Sequence, residues 1–158
     1  MFLGAALALG VFERMIPVGV VVPGVRLGLP NIVILTLLYL FLPSEIILVV
    51  VLKCVLTAML SGNIISFALS LTGSVLSFTV MSALIKTAAE KISPIGVSVA
   101  GAVSHNIGQI LAAYYILGKF AVAFLPGLLV SGVITGIITG MAVKYLLGHI
   151  RSLELHIV

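Results

Sequence analysis

The stretch that decides the fold is Ser93–Leu117, SPIGVSVAGAVSHNIGQILAAYYIL. From Pro94 onward it contains no Asp, Glu, Lys or Arg. As a helix rising about 1.5 Å per residue it is long enough to cross the roughly 30 Å of hydrocarbon in a bilayer. Proline at its start is compatible with the first helical turn, where the missing N–H is not needed. Within this apolar run stand His105, Asn106 and Gln109. Gly101, His105, Gly108, Gln109 and Ala112 recur at helical spacing and predict a polar stripe facing protein. Val99, Val103, Ile107, Ile110 and Tyr114 make the opposite stripe, expected to face lipid.

The rest of the chain follows the same rule. It has 158 residues, 62% of them hydrophobic, and a mean hydropathy of +1.42. Only eight Lys and Arg and four acidic residues interrupt it, far below the roughly 25% charged residues of an ordinary soluble domain. Apolar segments succeed one another between Pro, Gly and charge, which predicts an all-α integral membrane protein, a single domain of six transmembrane helices. The expected spans are 1–22, 28–42, 45–61, 64–86, 94–117 and 121–147, with 148–158 a cytoplasmic or interfacial tail. Ser44 is the expected N-cap of the third helix. The first segment lacks a basic leader region and reads as a retained span. With both termini cytoplasmic, Lys86, Lys91, Lys144 and Arg151 fall inside and Arg26, Lys119 and Arg14 outside, a positive-inside bias.

Composition also excludes chemistry. Glu13, Glu45, Glu90 and Glu154 are the only acids, so no aspartate cluster exists to hold magnesium and a diphosphate. No metal, cofactor or catalytic constellation is expected. The lone Cys54 reads as a packing residue. The basic residues are scattered, without the clustering that marks a nucleic-acid surface.

What remains is binding. Intramembrane polar groups are costly unless partnered and mark candidate sites, although Asn, Gln and His also serve as interhelical glue. His105 lies about 16 Å from Pro94 along its helix, near mid-membrane. Lys53, eight residues into the third helix, either snorkels or turns inward toward Glu13 or an anionic ligand. Asn31 and Arg26 supply donors on the side of Gln109. Together Glu13, Arg26, Asn31, Lys53, His105, Asn106 and Gln109 outline a chamber for a small solute, opening to the outer face. Ser66, Ser70, Ser74 and Ser77 form a further stripe, read as bonding to their own helix carbonyls. Gly132, Gly136 and Gly140 form a doubled small-residue motif for close helix contact, with a weaker version at Gly4 and Ala8, and again at Ala6 and Gly10.

Three motifs, PGVRLGLPNIV (23–33), SPIGVSVAGAVSHNIGQI (93–110) and LPGLLVSGVITGIITGMAV (125–143), resemble a bacterial membrane family known both as heptaprenyl diphosphate synthase component I and as the Gx transporter family. That family is in turn similar to the substrate-binding S components of energy-coupling factor (ECF) transporters. The resemblance implies a six-helix subunit of the bacterial cytoplasmic membrane that binds a solute through the seven polar positions named above. It implies as partners a transmembrane coupling subunit and ATPases, docked on small residues of the first helix. Two alternatives are an accessory subunit in isoprenoid or quinone metabolism and a structural subunit of a larger complex. Without aspartate the chain could assist a prenyl synthase but not supply its magnesium site.

Overall fold

The computed structural model describes residues 2–15, 29–62, 64–88 and 91–155. Six α-helices succeed one another: α1 (Phe2–Met15), α2 (Leu29–Leu40), α3 (Pro43–Ser61), α4 (Ile64–Ala88), α5 (Pro94–Leu117) and α6 (Leu125–Leu155). A 3-10 segment, Lys119–Phe124, joins α5 to α6. α3, α4, α5 and α6 are long and apolar enough to cross a membrane, and α1 and α2 contain shorter apolar helices. The chain is a multi-pass membrane protein built as a helical bundle.

Local chemistry sets the ends. Ser93 caps α5, its Oγ accepting from Gly96 N at 3.3 Å, and Pro94 takes the first turn. Pro43 opens α3 in the same way, with Leu42 at the N-cap position; Ser44, expected to cap, lies inside the helix because Pro43 starts it earlier. Gly62 closes α3 at φ 62°, a left-handed turn that glycine adopts without strain, its N–H returning to the carbonyls of Ala58 and Met59. α6 does not stop near Leu147. It continues through Gly148 to Leu155, about 46 Å of helix, and the expected tail is its last turns.

α5 lies between α4 and α6, and glycine sets both contacts. A Cβ on Gly108 would fall 2.8 Å from the Thr72 carbonyl oxygen and 2.9 Å from Gly73 Cα. On the other side, Cβ atoms on Gly136 and Gly140 would each fall 2.6 Å from a backbone Cα of α5, Val99 and Ile95 respectively. The α6 glycine motif thus serves a contact inside the chain. Ser98 and Thr139 hydroxyls bond across the same seam at 2.7 Å. This corrects the lipid-facing stripe expected on α5: Val99 lies under Gly136 and Ile110 is buried, while Ile107 and Tyr114 are exposed. The α1 motif divides in two. Ala6 is fully buried and Gly10 approaches Pro30 of α2, whereas Gly4 and Ala8 are exposed and nothing lies within 4 Å of a Cβ on Gly4.

Lys86, Lys91 and Lys144 share one end of the bundle, the end at which α4 and α6 finish and α3 and α5 begin. The main apolar core occupies this basic end. Leu35 and Leu38 of α2, Ile46 and Val50 of α3, Met81 of α4, Val97 of α5 and Val143 of α6 converge there. Burying side chains of this size contributes dispersion contacts that lipid tails match only in part.

Candidate functional site

Beyond that core, toward the opposite end, polar side chains occupy a common depth. Counted from the basic end, Asn31 lies about 14 Å along α2 from Leu40, Lys53 about 15 Å along α3 from Pro43, and His105 about 16 Å along α5 from Pro94. Lys53 is therefore deeper than its sequence position suggested, because α3 begins at Pro43. It does not snorkel to the surface: only 7% of it is exposed.

Contacts tie these levels together. Cys54, wholly buried, exchanges 3.6 Å hydrogen bonds with Ser70 of α4, its thiol donating to the Ser70 carbonyl and accepting from the Ser70 hydroxyl. One turn along α4, a Cβ on Gly73 would fall 2.8 Å from the His105 carbonyl oxygen, 2.9 Å from Gln109 Cγ and 3.0 Å from His105 Cε1. Glycine at position 73 is thus what lets His105 and Gln109 lie against α4. Gln109 is 9% exposed and His105 is half-buried.

Asn106 points to the other neighbour. Its Nδ2 donates to the Leu128 carbonyl of α6, and a Cβ on Gly132 would meet that same nitrogen at 2.7 Å. Consecutive residues 105 and 106 face α4 and α6 because α5 is covered on both sides. Asn31 stands half-buried in the first turn of α2. Arg26 and the side chain of Glu13 lie outside the described residues.

The serine stripe of α4 behaves differently from expectation. Ser70 bonds to Cys54, and the hydroxyls of Ser74 and Ser77 are buried with no hydrogen-bond partner, as are those of Ser82 and Tyr39. Thr72, Thr79 and Thr87 on the same helix do return to carbonyls four residues back, so the backbone accepts such bonds here. A buried hydroxyl without a partner costs on the order of 1–3 kcal/mol. Ser74 and Ser77 lie one and two turns from Ser70 on a single face, next to Gly73 and, through Ser77, Gly101 of α5. Their helical spacing marked them as a stripe in the sequence, but nothing there separated hydroxyls that bond to their own helix from those that do not.

Among the described residues no group of His, Cys, Asp or Glu could hold a metal ion. The arrangement offers hydroxyl, amide, imidazole and ammonium groups for hydrogen bonding.

The family model described as heptaprenyl diphosphate synthase component I matches residues 2–146, nearly the whole chain. No curated protein and no solved structure matches the chain.

Proposed function

The chain belongs to the heptaprenyl diphosphate synthase component I family, and from that premise we propose that it is a membrane-embedded binding subunit, one that takes a small polar solute into the layer defined by Lys53, Ser74, Ser77, His105 and Gln109. The observation that carries this reading is the pair of buried, unclaimed hydroxyls on Ser74 and Ser77, one and two turns along α4 from Ser70, which bonds Cys54 beside the buried Lys53. Intramembrane polar groups are retained at a cost, and an incoming ligand with acceptor or anionic groups offsets it. The apolar core at the basic end closes the layer from that side, so entry is from the opposite face. Positive-inside bias makes the basic end cytoplasmic and the entry face external, in a bacterial inner membrane. Asn31 and Asn106 complete the proposed site. Energising subunits of the ECF kind, a coupling protein and ATPases, would dock on exposed Gly4 and Ala8 of α1 and drive release inward.

Purification in mild detergent followed by mass spectrometry of the released small molecules tests this. A ligand recovered from the wild type and lost from Lys53→Ala and Ser74→Val supports it. Reproducible recovery of none, from preparations that remain monodisperse, overturns it.

The family description favours a second reading, an accessory and non-catalytic subunit for a prenyl diphosphate synthase. It predicts a changed rate or product length when this protein is added in vesicles to a soluble synthase. An unchanged rate and product length would dispose of it.

A further inference from the structure

A second polar feature lies at the basic end, distant from the layer just described. Beyond Gly140, where α6 touches the backbone of α5 at Ile95, α6 runs on past the start of α5 and leaves a groove of about 540 Å³. Lys144, Tyr145, His149 and Ser152 line it from α6, at the three- and four-residue spacing of one helical face. Ile95 and Met141 form its apolar wall. Gly148 forms part of its floor, and a Cβ added there would meet nothing within 4 Å, so the missing side chain is what keeps the groove open.

The chemistry of the lining is one-sided. Among the described residues it holds an ammonium, an imidazole and two hydroxyls, and no carboxylate. Ile95 is in the first turn of α5, where backbone N–H groups and the helix dipole add partial positive charge. Met141 is exposed on the apolar side, while Lys144, Tyr145, His149 and Ser152 follow along α6 past its contact with Ile95 at Gly140. A molecule with a phosphate head and a hydrocarbon tail matches both halves. We propose that this groove binds the phosphodiester headgroup of an anionic membrane phospholipid, its acyl chains lying along Met141 and Ile95.

The chain contains no Trp, so a single introduced indole is the sole Trp reporter. Ile137→Trp, on an exposed position one turn before Met141 on the same face of α6 and not lining the groove, is reconstituted in vesicles of phosphatidylcholine with increasing brominated phosphatidylglycerol or brominated phosphatidylcholine. Bromine quenches only indoles in contact with the lipid carrying it. Half-quenching is expected at about five-fold lower mole fraction of phosphatidylglycerol than of phosphatidylcholine, the preference of one ammonium at a membrane surface. Lys144→Gln with His149→Gln should abolish the preference, and Gly148→Leu should do so by filling the groove without altering charge. Lys86→Gln, on the same end but outside the groove, should leave it intact. Equal quenching by the two lipids would overturn the proposal. So would a preference that survives the double substitution or Gly148→Leu, or one that Lys86→Gln removes as completely.

Discussion

Gly136→Ala adds one methyl group where α6 crosses α5. In the native packing that Cβ would lie 2.6 Å from Val99 Cα, 3.1 Å from Val99 N and 3.2 Å from the Ser98 carbonyl oxygen. All three are backbone atoms, so no rotamer change relieves the overlap. The helices must part from 2.6 Å to at least 3.4 Å, about 0.8 Å, along a seam also held by Gly132 and Gly140. Overpacking a close-packed interface costs about 1–3 kcal/mol, and rigid contacts on both sides put this case at the upper end. The shift also stretches the 2.7 Å Ser98–Thr139 hydrogen bond, which adds about 0.6 kcal/mol in a membrane setting. The expected loss is about 3 kcal/mol. Cys54 supplies the assay: it is the only cysteine and 0% exposed, so its labelling by a thiol-reactive dye during an SDS titration follows unfolding. Gly148→Ala, facing open space, is the control and should stay within about 0.5 kcal/mol of wild type. If Gly136→Ala unfolds at the same SDS fraction as that control, the account of the α5–α6 seam is wrong.

The α4 side of α5 should respond similarly: Gly108→Ala, blocked by Thr72 and Gly73 backbone, is expected to lower stability by about 2 kcal/mol in the same titration. Asn106→Ala removes the donor to the Leu128 carbonyl and should cost about 1 kcal/mol, measured against an Ile107→Ala reference on the exposed face. Ser74→Ala, which deletes a hydroxyl without a partner, should leave stability unchanged or raise it by about 1 kcal/mol; a marked loss would mean the hydroxyl is bonded. Gly4→Leu, exposed on α1 with nothing nearby, should fold like wild type, as read by gel filtration in detergent.

Much of the architecture was legible because membrane helices are written in composition. The start of α5 followed from Ser93 and Pro94, and the existence of close contacts on α6 from Gly132, Gly136 and Gly140. Their destination was not legible: Val99 and Ile95, which those glycines meet, carry no mark that separates a valine under a helix from one under lipid. The reading of one α5 stripe as lipid-facing held at Ile107 and Tyr114 and failed at Val99 and Ile110 for that reason. The end of α6 was misplaced because Gly148 looks like a stop, yet with no proline after it the helix passes through. At the candidate site, the depth shared by Asn31, Lys53 and His105 could be counted from residue numbers once the helix starts were known. The condition of the serines could not, since a helical serine bonds to its own backbone by default and only tertiary placement shows which ones do not.

The backbone contacts on either face of α5 have a mechanical consequence. Helices that touch through glycine have little room to slide, because each displacement drives main-chain atoms together or opens a void along the seam. α4, α5 and α6 therefore form one stiff plank. α1, α2 and α3 meet that plank mainly through branched aliphatic side chains, which can change rotamer and re-interlock a step away. A change of shape in this bundle therefore falls to the first three helices, while the last three hold theirs.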